Sequence, residues 1–187
     1  MKRLTVFFLA AAAVLAAPAA ASADGFLSPY VGVNFGGDTT KKSTVYGGAI
    51  GFVGAKAGFE VDFGYTPEFF GDDTLDVDGK LVTVMGNVLF GGKRGGFSPY
   101  FALGGGLIRT DITVIGDVAD LEAAKNSFGG NVGGGFFAGG KSVTVRADVR
   151  YFRAFNFDDG LDFGLNLDVI KGTLRFWRGT VGVGFMW

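Results

Sequence analysis

Between Ser142 and Ala154 the chain alternates with period two. Val143, Val145, Ala147, Val149 and Tyr151 fall on one side of an extended backbone, and Thr144, Arg146, Asp148, Arg150 and Phe152 fall on the other. Successive side chains of a β-strand point to opposite faces, so this spacing reads as a strand with one bulky apolar face and one face rich in charge. Such a strand belongs in a sheet whose two sides meet different surroundings.

The same pattern recurs. Trp177, Gly179, Val181, Val183, Phe185 and Trp187 oppose Arg178, Thr180, Gly182, Gly184 and Met186, and Lys56–Thr66 sets Ala57, Phe59, Val61, Phe63 and Tyr65 against Gly58, Glu60, Asp62 and Gly64. Five further segments, Pro29–Gly36, Thr44–Gly54, Lys80–Phe90, Ser98–Ile108 and Ser127–Ala138, read as strands on composition and turn signals. Ser28-Pro29-Tyr30 and Ser98-Pro99-Tyr100 open the first and fifth of these eight strands alike, as an internal echo would. The connections near Gly54–Ala55, Gly91–Gly96 and Gly139–Lys141 are short and Gly-rich. Those at Gly37–Ser43, Pro67–Gly79, Arg109–Asn126 and Phe155–Gly172 are mostly longer and polar.

Short turns at one end and long loops at the other define an up-and-down barrel. A water-soluble barrel of eight strands would turn its apolar face inward, and alternation alone does not separate the two cases. Bulk separates them: a small eight-stranded barrel is expected to hold only modest side chains and Gly inside, and here the Gly-and-charge face is the one that fits. The fold expected is therefore all-β, an eight-stranded antiparallel up-and-down transmembrane β-barrel. The ten steps from Trp177 to Trp187 suit a tilted strand that crosses a bilayer. Trp177, Phe185 and Trp187 are then the membrane-interface aromatics, and Arg175 lies outside the apolar band. Only closure gives strands in lipid a partner for every backbone group, which is why an even count of eight matters.

The N-terminus has the three parts of a secretory signal: Lys2 and Arg3, an apolar Leu4–Ala17 stretch, and the small triplet Ala21-Ser22-Ala23. Residues 1–23 are expected to be removed at Ala21 and Ala23, leaving 24–187 as one barrel domain. Loss of Lys2 and Arg3 from the 17 bases leaves 15 against 18 acids, a net charge of −3. No basic cluster supports nucleic-acid binding. There is no Cys, so no disulfide and no N-terminal lipid anchor, and no His, the commonest acid/base group and metal ligand. Beyond the signal no apolar run is long enough for a membrane helix.

Gly135–Ser142, GFFAGGKS, matches the phosphate-binding loop G-x-x-x-x-G-K-[ST] letter for letter. That loop works only where a strand leads through the turn into a helix. Strict alternation follows Lys141, so a turn is expected, with no nucleotide and no other cofactor. The acidic pieces Asp72-Asp73, Asp76, Asp78 and Asp158-Asp159, Asp162 lack calcium-loop spacing and read as solvated loop, and no metal site is expected.

With its signal, its eight alternating strands, its unequal connections and the ending Val-Gly-Val-Gly-Phe-Met-Trp, the mature chain resembles the small outer-membrane β-barrel proteins of the OmpA/OmpX kind. Trp187 stands where that family more usually has Phe, and the resemblance extends to the barrel alone, so no cell-wall tether is expected. The resemblance implies residence in the outer membrane among lipid and lipopolysaccharide, and delivery to the barrel-assembly machinery through the C-terminal strand. A monomer is expected. Barrel enzymes acting on lipid A or peptides, as the resemblance has them, depend on His, which this chain lacks, so it is expected not to be an enzyme.

Glu60, Asp62, Arg146, Asp148, Arg150 and Arg178 share the inward face, and desolvated charges of mixed sign require partners. The expectation is a salt-bridge network filling the lumen of a structural or surface-interaction barrel. The alternative is a narrow pore or transporter for small solutes, in which Arg150 and Arg178, at similar depth, repel and leave a gap. Phe155, Phe157 and Phe163 in a long loop are candidate contact points or a cover for the mouth.

Overall fold

The computed structural model describes residues 24–39, 41–69, 77–91, 96–114, 121–155 and 174–187. Ala21 and Ala23, the acidic positions 72, 73, 76, 158, 159 and 162, and Phe157 and Phe163 lie outside these residues.

Eight strands follow one another: β1 (Asp24–Phe35), β2 (Ser43–Val53), β3 (Ala57–Thr66), β4 (Val77–Gly91), β5 (Phe97–Val114), β6 (Leu121–Gly139), β7 (Val143–Phe155) and β8 (Arg175–Met186). Each pairs antiparallel with its neighbour in sequence, and β8 returns to β1 to close the barrel. The seam is held at one end by two reciprocal backbone bonds, Gly25 N–H to Trp187 O and Trp187 N–H to Gly25 O, both 3.1 Å.

The register sets the dimensions. From Gly25 the paired positions run through Phe52, Phe59, Val88, Leu103, Val132, Tyr151 and Trp177, and arrive back on β1 at Phe35, ten residues further on. With about 3.3 Å per residue and about 4.8 Å between strands, a stagger of ten over eight strands tilts them about 40° and gives a Cα radius of about 8 Å. Ten residue steps at that tilt rise about 25 Å, the height of a membrane-facing apolar band.

The alternation falls as its bulk requires. Val31, Ile50, Phe63, Leu103, Val149, Val181 and Val183 stand bare on the outer wall, while Glu60, Asp62, Arg146, Asp148, Arg150 and Arg178 are buried inside. Four outward glycines are covered by a neighbouring ring: a methyl built on Gly86, Gly105, Gly130 or Gly179 would sit 3.7, 3.4, 3.3 or 3.6 Å from Phe59, Phe128, Phe155 or Phe35 respectively. Rings laid over glycines in this way restore the contact that a side chain would make.

Two expectations need correction. Arg109–Asn126 is mostly strand: β5 and β6 stay paired as far as Val114↔Leu121, well above the point where β7 ends at Phe155. Polar composition there marks the height at which the hairpin leaves the apolar band, which is a different thing from the end of the strand. Phe155 likewise belongs to the wall, over Gly130. Nor is the interior limited to modest side chains, since Phe26, Phe137, Phe152, Phe176, Leu81, Met85, Leu89 and Ile108 are buried in it. Gly135–Ser142 forms the end of β6 and the turn into β7, with no helix.

Candidate functional site

The lumen is layered. At the short-turn end, Phe26, Ala49, Val53, Leu89, Tyr100, Ala102 and Phe137 form one apolar cluster. At the long-loop end, Phe69, Leu81, Met85, Ile108, Phe152, Ala154 and Phe176 form another. The charges occupy the space between them. All six sequence-predicted lumen residues are there, at 8 % exposure or less.

Glycine makes the room. Glu60 pairs across the strands with Gly51, Asn87 with Gly104, Asp148 with Gly135 and Arg150 with Gly133. At each of these glycines an added Cβ would collide with the backbone or side chain opposite. The large polar group on one strand therefore spreads into space that the next strand leaves empty.

The lower charges form one tight cluster. Arg146 Nη2 donates to Glu60 Oε2 at 2.7 Å and to Asp148 Oδ2 at 3.0 Å, and Arg146 Nε donates to the Tyr100 hydroxyl at 2.8 Å. The Tyr100 hydroxyl in turn donates to Asp148 Oδ2 at 2.7 Å, while Thr180 donates to Oδ1 at 3.1 Å. Arg150 contacts Glu60 Oε1 at 2.6 Å and Asp148 Oδ2 at 3.0 Å. Asn87 donates to Glu60 at 3.0 Å and accepts from Asn131 at 2.7 Å. The Arg146 guanidinium also sits 5.2–5.5 Å from the ring centres of Phe137, Tyr100 and Phe26, so the ion cluster rests on the aromatic floor beneath it.

The upper charges are held more loosely. Arg178 donates to Asn34 at 3.0 Å and Thr83 at 2.9 Å, and Asn34 donates on to Thr66 at 2.8 Å. Its ion pair with Asp62 is 3.8 Å long. Arg178 lies 4.5 Å above Phe152, which stacks on Phe176 at 5.0 Å and 1°. Arg150 and Arg178 are direct cross-strand partners, as their similar depth required. Arg150 turns to Glu60 and Asp148, while Arg178 turns to Asn34, Thr83 and Asp62. Among the described residues, three buried carboxylates face three buried guanidiniums, so these charges balance.

Sequence reasoning named the ions and passed over their neutral partners Tyr100, Asn87, Asn131, Asn34, Thr83 and Thr180. Parity held the signal: Tyr100 is one position from the outward Phe101, so it must face inward. Tyr30, its counterpart in the Ser-Pro-Tyr echo, does the same and donates to the Phe63 carbonyl at 2.9 Å. Trp177 and Phe185 face outward on β8, near its long-loop and short-turn ends respectively, and Trp187 is exposed just past its short-turn end. Among the described residues no group of three His, Cys, Asp or Glu is placed to hold a metal ion.

No family model matches the chain. No curated protein matches it. Solved structures do, small outer-membrane barrels among them. Neisserial surface protein A is similar with a TM-score of 0.58 at 14 % identity, covering 88 % of this chain and 97 % of that one. The N-terminal β-barrel domain of Pseudomonas aeruginosa OprF gives 0.53 at 20 % identity, with 88 % and 97 % covered. Ail, the attachment invasion locus protein of Yersinia pestis, gives 0.53 at 17 % identity, with 89 % and 99 % covered. The fold of this chain is that of the small membrane-type barrel, with an apolar outer wall and, inside, a charged layer between two apolar clusters.

Proposed function

We propose that the mature chain, residues 24–187 after removal of 1–23, is a non-enzymatic integral outer-membrane barrel with a structural or surface-interaction role, its lumen sealed by the charged network. One observation carries this reading: the balanced cluster of Glu60, Asp148, Arg146 and Arg150, bonded at 2.6–3.0 Å, lies between two aromatic layers. Ions crossing such a lumen must break paired, desolvated charges and pass packed rings as well.

Lipid and lipopolysaccharide meet the outer wall, with Trp177 at one interface and Phe185 and Trp187 at the other. Strand β8 is what the assembly machinery reads, and the barrel works as a monomer. The paired β5–β6 hairpin, which extends beyond β7, is the scaffold for recognition at the cell surface. Structural neighbours named as a surface protein and an attachment invasion protein are in keeping with that role.

Two measurements test the reading. Fractionation with a heat-modifiability gel is expected to recover the chain in the outer membrane and to shift its mobility on boiling. Purified barrel in planar bilayers is expected to give no stable unitary current. Steady single-channel steps would overturn the seal in favour of a narrow pore.

A further inference from the structure

On the outer face of β7 and β8, near their long-loop ends, Arg153 and Arg175 are direct cross-strand partners and both are exposed. Like charges placed opposite each other in a sheet are destabilising unless something offsets them. The corresponding face of β4 and β5 avoids the conflict: Lys80 lies opposite Asp111, and Arg109 is ion-paired to Asp111 at 3.0 Å. On β7 and β8 no such acid intervenes. Among the described residues Arg153 has no ion pair, and that of Arg175 with Asp38 is 3.7 Å long between side chains 60 % and 41 % exposed, a weak pair in solvent.

The wall beneath the two arginines is built in rows of cross-strand partners. Two residues down come Tyr151, Trp177 and Phe35, with the Tyr151 and Trp177 rings 5.3 Å apart, the aromatic row expected at a membrane interface. Next come Val149, Gly179 and Val33, then Ala147, Val181 and Val31. No side chain in these two lower rows is larger than Val, and together they line a shallow apolar groove. Arg175 stands four residues above Gly179, about 13 Å along the strand and about 10 Å in height at the tilt of the barrel. A lipid's headgroup phosphate and the acyl chain below it span such a distance together.

We propose that this face holds an anionic, phosphate-bearing lipid of the cell-surface leaflet, its phosphate between Arg153 and Arg175 and an acyl chain in the groove over Gly179. The proposal rests on the outer-membrane reading and goes beyond it by assigning one place on the wall. Charge complementarity selects the occupant: two guanidinium forks on adjacent strands match the oxygens of one phosphate, and its negative charge relieves their repulsion. The long-loop end faces the cell surface, which sets the leaflet.

The chain has two Trp, so Trp187→Phe leaves Trp177, in the row directly below Arg175, as the only one. This variant, first shown to be heat-modifiable, is placed in phosphatidylcholine vesicles. Part of the host lipid is then replaced by phosphatidylcholine, phosphatidylglycerol or phosphatidic acid with brominated acyl chains, which quench Trp177 on contact. An Arg near an anionic headgroup is worth about fivefold, so both anionic lipids are expected to reach Trp177 at least about tenfold more tightly than phosphatidylcholine. Arg153→Gln with Arg175→Gln is expected to make the three lipids equal, and each single variant to lose severalfold. An added Cβ at Gly179 meets Phe35 at an ordinary 3.6 Å, so Gly179→Leu fills the groove from an accepted position and is expected to weaken the anionic lipids severalfold. Inorganic phosphate alone is expected not to displace them. Equal binding of the three lipids, a preference that survives loss of both arginines, indifference to Gly179→Leu, or displacement by inorganic phosphate overturns the lipid site. Failure of every brominated lipid, phosphatidylcholine included, to quench Trp177 overturns the membrane reading itself.

Discussion

Replacing Glu60 by Gln keeps the side chain's size and removes one charge from the centre of the lumen. Its two oxygens serve Arg146 at 2.7 Å on one side, and Asn87 at 3.0 Å and Arg150 at 2.6 Å on the other. A Gln amide turned either way sets an N–H against donors, and the lumen is left with an excess positive charge. Breaking a buried pair costs about 3–5 kcal/mol, because the remaining ion stays desolvated. With a urea slope of about 2 kcal/mol per M, the unfolding midpoint is expected to fall by about 1.5–2.5 M. Arg146→Met is expected to cost a similar amount. In Glu60→Gln/Arg146→Met the charge balances again, so the double loss is expected to be smaller than the sum of the two singles by at least ~1 kcal/mol. The assay is reversible urea unfolding from lipid vesicles, read by the fluorescence of Trp177 and Trp187. Two single variants within about 0.5 kcal/mol of wild type, or strict additivity, would refute the claim that these charges act as one buried unit.

Other substitutions test other parts of the barrel in the same assay. Tyr100→Phe leaves Arg146 and Asp148 each short of a partner and is expected to cost about 1–3 kcal/mol, more than Tyr30→Phe, whose hydroxyl serves a single backbone carbonyl. Val181→Arg places a charge on the outer wall near mid-height and is expected to cost about 2–4 kcal/mol in bilayers. Gly37 has φ +66° and an added Cβ would meet the Arg175 carbonyl, so Gly37→Ala is expected to destabilise the β1–β2 connection by at least ~1 kcal/mol, whereas Gly48→Ala, which meets nothing closer than 3.7 Å, is expected to be near neutral.

Alternation made β3, β7 and β8 legible, because each must turn one face to an apolar surrounding and the other to a polar interior along its whole length. The six ions could be read from the same parity. Their neutral partners were harder to see: Asn87 and Asn131 carry no charge to flag them, and only the register brings them together across β4, β5 and β6. The interior rings escaped for a related reason. A rule that small barrels hold small side chains treats each position alone, whereas here Tyr30 fits between Gly47 and Gly182, at each of which an added Cβ would strike its side chain. Space is shared between strands, and a single strand read by itself does not show the sharing. The extent of β5 and β6 was hidden because polarity changes with height above the apolar band and not with backbone conformation.

The bonds between Gly25 and Trp187 join the outermost strands of a cylinder in which every other pairing is between sequence neighbours. Hairpins can form one after another, yet any partial assembly keeps two raw edges until this final contact is made, and raw edges in hydrocarbon are very costly. Closure of β8 onto β1 therefore removes both edges at once, and a change that opens this one seam is expected to expose both again.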